Sequence, residues 1–355
     1  MLAPPPQTPV EASPSTLRLG RFVLPNRVFA APMAGVTDLP WRQMARRLGA
    51  GHCVSEMVTS KRELWDTLKT SRRRDHTGEP GPVTAQLVGV DPVDMAEAAR
   101  ANVQGGAQII DINMGCPAKK VCSRWAGSAL MQDETLALRI VEAVVRAMQP
   151  LGVPVTLKMR TGWCTTERNA PRIARAAQDA GVAMIVVHGR TRDQGYGGDA
   201  EYGTVTAIKQ ALRIPVVANG DIGSAAGARA ILLATGADAV MIGRAALGRP
   251  WLLGHIAQAL DSGVEPALPD WQQQGTWLLQ HLDAHHRFYG DAGTKTARKH
   301  VGWAVAELPG ATAFRARFNT LTEPQAQRDA VATYFDMLGN GNANAIGLDL
   351  LPLAA

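Results

Sequence analysis

The amino-acid sequence predicts an α/β fold: a (β/α)8 TIM barrel followed by a small C-terminal helical bundle. Three observations support it. Eight short runs rich in Val, Ile, Ala and Met recur between residues 28 and 242, separated by longer amphipathic stretches. The runs are apolar almost throughout rather than alternating, which suits parallel strands covered on both faces. Beyond Ala259 the strand-like runs stop, and apolar residues fall at helical spacing. An open doubly wound sheet built from the same βα units is the competing arrangement.

Residues 1–16 are Pro-rich and polar, with no basic segment leading into an apolar one, and read as a flexible leader rather than a secretory signal. The barrel is expected over residues 17–259. Its strands are Val28–Ala31, Cys53–Glu56, Val83–Val88, Gln108–Asn113, Val155–Met159, Met184–His188, Pro215–Asn219 and Ala239–Ile242. Helices fill the gaps, for example Asp133–Met148 and Pro171–Ala180, the latter stopped by Gly181. Residues 260–270, with two prolines and a glycine, read as a linker. Helical patterns then run through Trp271–Phe288, Thr294–Leu308, Thr312–Leu321 and Pro324–Leu338, so a bundle is expected over 271–338 and a tail over 339–355.

With 46% apolar and 19% charged residues in 355, the chain is long enough for a core without disulfides or metals, and collagen-like or disordered classes are excluded. No run approaches the roughly 18 apolar residues of a membrane span. The four cysteines, Cys53, Cys116, Cys122 and Cys164, show neither C-x-x-C pairing nor a Cys/His zinc pattern, so no metal is expected. A monomer in the reducing cytoplasm is the expectation. The net charge of +6 permits an acidic partner without requiring one.

In such a barrel chemistry belongs at the C-terminal ends of the strands. Polar residues fall there: Gln86, Asn113, Lys158, His188, Asn219 and the pair Gly243-Arg244. The turns Asn219-Gly220-Asp221-Ile222-Gly223-Ser224 and Gly243-Arg244-Ala245-Ala246 follow strands seven and eight, the corner where barrels commonly bind phosphate. With no Walker A or strict G-x-G-x-x-G sequence present, a mononucleotide such as FMN suits this corner better than a Rossmann-bound dinucleotide. Lys158 in the mouth would stabilise an anionic flavin edge, although a strand-end lysine reaching water explains it equally. Asn113-Met114-Gly115-Cys116-Pro117 is the most specific piece, a stiff bend presenting a thiol that is protonated at neutral pH and able to act as an acid. Lys119 and Lys120 beside it would lower that pKa or bind a phosphate backbone. Cys53 reads as a small buried apolar residue.

Together these residues resemble the tRNA-dihydrouridine synthase family, most closely its bacterial B-type branch. The matching segments are Ala31-Pro32-Met33-Ala34-Gly35-Val36-Thr37-Asp38, residues 113–121, Ala126–Leu130, Thr156–Trp163, His188-Gly189-Arg190-Thr191-Arg192, Asn219–Ile222 and Met241–Ala245. In order, they span about residues 18–338. The resemblance implies FMN as cofactor and NADPH or NADH as electron donor, with tRNA as substrate. Hydride would pass from flavin N5 to C6 of a D-loop uridine, and Cys116 would protonate C5. It further implies that Pro32, Met33 and Ala34 lie along the flavin and that Gln86 and Lys158 contact its ring edge. His188, Asn219, Gly220, Asp221, Gly243 and Arg244 would hold the ribityl phosphate region. Cys122 stands where a polar residue such as Asn is common in the B-type pattern.

The bundle carries seven Lys/Arg against seven Asp/Glu over residues 270–338, so any RNA affinity must come from local stripes. Arg287, Lys295, Arg298, Lys299 and His300 cluster, with Arg315 and Arg317 close behind and Tyr289 or Trp303 available to stack on a base. Asn113, Lys119 and Lys120 are expected to meet the tRNA at the barrel mouth, and the basic run 69–74 from the barrel side. A solvated helix face is the alternative reading of these stripes. An FMN barrel acting on a free pyrimidine, similar to dihydroorotate dehydrogenases, and a non-catalytic tRNA-binding protein are the alternative functions.

Overall fold

The computed structural model describes residues 16–122 and 125–341. The expected leader and tail therefore lie almost wholly outside the described residues. An antiparallel hairpin opens the described chain, β1 (Leu17–Leu19) and β2 (Phe22–Leu24), turned by Gly20 at φ +57°, where a side chain would be strained. Sequence reading missed this hairpin because three-residue strands carry too little pattern. Its leucines, Leu17, Leu19 and Leu24, join Phe29, Ile109, Met184, Val217 and Ala239 in one buried cluster. The hairpin thus plugs the end of the barrel opposite the strand C-termini.

The barrel strands are β3 (Val28–Ala30), β4 (His52–Cys53), β5 (Val58–Thr59), β6 (Thr84–Val88), β7 (Ile109–Met114), β8 (Val155–Arg160), β9 (Met184–His188), β10 (Val216–Asn219) and β11 (Ala239–Ile242). They form one parallel sheet in the order β4-β3-β11-β10-β9-β8-β7-β6-β5. β4 and β5 are the two halves of the second barrel strand. The Val54–Thr84 bridge and the Ser55 N–H to Thr84 O bond (3.1 Å) join that strand to β6 and close the ring. All eight predicted strands occur, and closure excludes the open sheet. At the break in the second strand, the side chains of Ser55 and Glu56 take partners on β6 and in the loop before α1. Ser55 Oγ accepts from Gln86 N–H, and Glu56 Oε1 accepts from Gly35 N–H.

Around the sheet lie α1 (Leu39–Arg47), α2 (Leu68–Arg73), α3 (Pro92–Gln104), α4 (Lys119–Cys122), α5 (Glu134–Met148), α6 (Ala170–Asp179), α7 (Gly203–Ala211), α8 (Ala225–Thr235) and α9 (Leu252–Ser262). Side-chain caps start several of them: Asp38 for α1, Asp91 for α3, Asp133 for α5 and Ser224 for α8. Their apolar faces and the outer faces of the strands form the main core. After the barrel come α10 (Trp271–Tyr289), α11 (Gly293–Ala304), α12 (Ala311–Phe318) and α13 (Pro324–Gly339). These four helices have a separate core built around Phe314, Phe318, Tyr334 and Phe335. No helix of the described residues is long and apolar enough to cross a membrane.

A buried ion pair ties α1 to the segment that follows α2. Arg42 donates to both Glu79 oxygens, at 2.8 and 2.6 Å, and to Thr37 O. Burial opposes ionisation of Glu79, but the hydrogen bonds from Arg42 and His76 hold its carboxyl down at about 2. Its folded pKa lies below the unfolded value of about 4.3, so it stabilises the fold above that value. The contribution fades as pH falls from there through 2. Glu79→Ala, which strands a buried guanidinium, is expected to cost about 3–5 kcal/mol in denaturant unfolding. Glu79→Gln is expected to flatten the loss of stability on acidification.

Candidate active site

The C-terminal ends of the strands surround a cavity of about 1040 Å³. Its floor is an unusual run of polar side chains on β6, β7 and β8. Asp111 is fully enclosed and accepts from Gln86 Nε2 at 2.7 Å and from Thr156 Oγ1 at 2.5 Å. Gln86 Oε1 in turn accepts from Asn113 Nδ2 at 2.7 Å. Asn113 Oδ1 accepts the backbone N–H groups of Gly115 (3.2 Å) and Cys116 (3.0 Å). The chain of bonds therefore runs from a buried carboxylate to the backbone of the cysteine. Burial pushes the Asp111 carboxyl up to about 6, against the pull of Thr156, Gln86 and Lys158.

Cys116 is held from its other side as well. Its carbonyl accepts from Ser128 N–H (3.1 Å), Ser128 Oγ (2.9 Å) and Cys122 Sγ (3.5 Å). Gly127, at φ +64°, permits this approach, since a Cβ there would sit 2.9 Å from Cys116 O. Burial raises the Cys116 thiol above its ordinary pKa, so it carries its proton at neutral pH. Arg160 braces the same loop by donating to Gly115 O at 2.8 Å and to Thr191 O and Gly195 O.

Lys158, the residue paired with Asn113 in the β7–β8 register, brings an ammonium into the cavity wall. Its Nζ donates to Asn219 Oδ1 at 2.8 Å, and Asn219 Nδ2 donates to Met241 O. Burial, with the nearby charge of Arg160, lowers Lys158 to about 8. His188 Nδ1 lies 3.1 Å from the same Asn219 oxygen, which has no proton to give, so Nδ1 carries the hydrogen. Burial and Lys158 lower His188 to about 3, and the ring is neutral. Beyond these residues Asp221, at φ +43°, receives both arms of Arg190 at 3.0 and 2.6 Å and Arg244 at 3.3 Å. Arg190 also donates to Gly197 O and Gly198 O, which fixes the loop carrying Tyr196 at the cavity edge.

Comparison with known proteins agrees with this geometry. The family model for Dihydrouridine synthase (Dus) matches residues 29–338. The chain belongs to the dihydrouridine synthase family. The tRNA-dihydrouridine synthase B of Xanthomonas campestris pv. campestris is 54% identical over 323 residues, covering 91% of this chain and 96% of the relative. Those of Pseudomonas aeruginosa and Salmonella typhimurium are 54% and 48% identical, each over 90% of this chain and 96% and 99% of their own lengths. Among solved structures, the old yellow enzyme homologue from Zymomonas mobilis superposes with a TM-score of 0.52 at 17% identity, covering 73% of this chain and 95% of that one. A 2-naphthoyl-CoA reductase gives 0.55 at 11%, over 70% and 52%. These two likenesses concern the fold alone.

In this dihydrouridine synthase Pro32, Met33, Ala34, Gln86, Asn113, Cys116, Lys158, His188, Asn219, Gly220, Asp221, Gly243 and Arg244 all line the one cavity. Four of the expected placements find partners within the protein. The Asp221 carboxylate, at the cavity wall, accepts from Arg190, Arg244 and the Ala200 N–H. His300, expected on an RNA-facing stripe, is only 5% exposed and turned toward Asp38. Asn113 spends both ends of its amide on Gln86 and the Cys116 loop. The arginines of the basic run 69–74 are also engaged internally, Arg72 with Tyr289, Arg73 with Glu56, Arg74 with Ala101 O and the Trp65 ring, while Lys69 is exposed. Tyr289 itself donates to Asp38.

The side chains of Lys119 and Lys120 lie outside the described part of the chain. Arg298 is half-buried, donating to Leu321 O, while Arg315 is exposed and Arg317 partly so. Lys299 extends its Nζ over Gly35 at the cavity rim. Sequence reasoning missed Asp111, Arg160, Arg190 and Tyr196 as parts of the site. Asp111 lies inside a predicted strand, Arg160 falls one residue past the predicted end of another, and Arg190 and Tyr196 lie in the loop after the sixth strand. A polar residue inside an otherwise apolar strand was the available signal.

The raised Cys116 pKa has a chemical consequence. Alkylation of Cys116 by iodoacetamide, followed by peptide mass spectrometry, is expected to be slow at pH 7. Its rate should still be climbing above the ordinary thiol pKa of about 8.5.

Proposed function

We propose that this chain is a flavin-dependent tRNA-dihydrouridine synthase of the cytoplasm. With FMN bound and NADPH as reductant, it would reduce the C5–C6 bond of a D-loop uridine in tRNA to 5,6-dihydrouridine. The observation that carries this reading is the meeting, in one cavity, of a protonated thiol on a pinned loop and a buried ammonium from the adjacent strand. The names of the relatives, matched over nearly their whole length, support tRNA as the substrate.

The residues present suit FMN. Ala31, Met33 and Met241 supply an apolar wall. Among the described residues, Lys158 Nζ makes one hydrogen bond, leaving donors directed to a ligand. Lys158 and Gln86 would hold the flavin ring edge, while Arg244 and the glycine turns at Gly220 and Gly243 would hold the phosphate end. A bound flavin supplies hydride-transfer chemistry.

The protein's own contribution is a proton and a place. Cys116 holds its proton on Sγ until a uracil carbon accepts it, and the bonds from Asn113 and Ser128 fix where that occurs. The fixed Lys158 charge stabilises negative charge developing beside it without reorganisation. A cavity of about 1040 Å³ is at the upper limit for one small ligand, leaving room for a cofactor together with a base turned out of its stack. Arg315, Arg317, Lys295 and Lys299 offer cations to the phosphates outside it.

Cys116→Ala is expected to keep bound flavin and NADPH oxidation but lose about 10²–10⁴-fold of uridine reduction, read by mass spectrometry of the tRNA nucleosides. Full activity in that variant would remove the acid assignment. In a deletion strain, tRNA lacking dihydrouridine at one position names the target, and unchanged tRNA refutes the reading. Reversing Lys295 and Lys299 to Glu is expected to weaken tRNA binding and reduce its salt dependence, with unchanged flavin content.

A further inference from the structure

We propose that Asp38, His281, His285 and His300 form a site for a zinc-class divalent ion that fastens the C-terminal helices to the barrel. The four residues come from three places in the chain: Asp38 from the loop before α1, His281 and His285 one turn apart on α10, and His300 on α11. All are buried, with exposures of 3, 6, 1 and 5%. Yet His281 Nε2, His285 Nδ1 and His300 Nε2, each shielded from solvent, make no hydrogen bond among the described residues. Three such nitrogens around one carboxylate are not what a satisfied polar core contains.

The directions of these atoms suit a cation. His285 Nε2 lies 2.8 Å from Thr296 Oγ1, and the Thr296 hydroxyl is directed to the carbonyls of Ala292 and Gly293. Nε2 is therefore the donor, and Nδ1 presents a lone pair. That lone pair lies 3.5 Å from Asp38 Oδ2, while His300 Nε2 lies 3.9 Å from the same oxygen. Lone pairs facing a carboxylate repel unless a positive charge lies between them. One ligand atom each from Asp38, His281 and His285 falls within 4.8 Å of the others. The edge of a tetrahedron around zinc with nitrogen and oxygen ligands is about 3.3 Å, so binding the ion draws these three atoms together and brings in His300 Nε2 from 3.9 Å.

The surroundings match those of metal ligands. Asp38 Oδ1 is held by Trp41 N–H at 3.1 Å, and Oδ2 receives the Tyr289 hydroxyl at 3.0 Å. The Thr296 partner of His285 is the outer contact that orients a ligating imidazole. A cavity of about 30 Å³ adjoins His281 and His300, enough for a water-sized species to approach. Three buried protein ligands close to one another, with His300 Nε2 3.9 Å from Asp38 Oδ2 as the fourth, suit a structural rather than catalytic ion. Borderline nitrogen and oxygen donors favour zinc over magnesium or calcium.

The test uses the full-length protein, refolded or long equilibrated in chelator and then titrated with zinc chloride against a chromophoric competitor. One equivalent bound, abolished by His281→Gln and by His285→Gln, is the expected result. Thr296→Val, which leaves every ligand in place, should weaken zinc by about 10–100-fold. It keeps the proposal testable if the histidine variants do not fold. Cobalt substituted for zinc should show tetrahedral bands without thiolate charge transfer. A wild-type protein that binds no zinc tightly, its nitrogens then satisfied by water or a shared proton, overturns the proposal. So does zinc retained unchanged in the histidine variants, or cobalt spectra showing cysteine ligation.

Discussion

The carboxylate of Asp111, enclosed beneath the cavity floor, is the group on which the site depends. A buried charge or a buried acid demands partners, and Asp111 obtains them from the strands on either side, Gln86 on β6 and Thr156 on β8. Gln86, so oriented, can offer its carbonyl only to Asn113, and Asn113 can then offer its own only to the backbone of the cysteine loop. Each amide is left one useful orientation. The precision of the thiol above the barrel follows from a demand for solvation below it.

A second set of constraints is electrostatic. Lys158, Arg160, Arg192 and Arg244 all line the cavity, and of these Arg244 pairs with the Asp221 carboxylate. Asp221 gathers Arg190 and Arg244 together, and Arg190 in turn secures the carbonyls of the 197–198 turn. The cationic character of the mouth is thereby shaped by an acid that gathers two arginines. His188, neutral and tied to the Asn219 oxygen that also receives Lys158, acts within this set as a hydrogen-bond partner rather than a charge.

The contact between the barrel and the last four helices is of another kind. It rests on polar groups from distant parts of the chain: Asp38 with Tyr289 and the histidines, Arg72 with the Tyr289 carbonyl and ring. Apolar contact alone would permit the helices to slide. These directional bonds hold Lys299 over the cavity rim and so keep the basic groups of the helices in register with the mouth.

How much of this was legible in the sequence depended on the range of the interaction. The eight barrel strands and the four final helices were readable because burial on two faces or one stripe leaves a local periodic imprint in residues 28–242 and 271–338. The family was readable because its motifs are contiguous, as in Asn113-Met114-Gly115-Cys116-Pro117. The hairpin at Leu17–Leu24 and the split second strand left no such imprint. Whether a polar side chain is free or engaged was invisible too. His300 and the 69–74 arginines looked like a surface stripe, and only packing against Asp38, Tyr289 and Glu56 turned them inward. Sequence alone therefore determined the fold class, the cysteine loop and the polar strand ends that line the cavity, since each is written in neighbouring residues. The tertiary structure alone decided which groups share a hydrogen bond or a charge, because those partners lie far apart in the chain and meet only where the barrel closes and the helices dock.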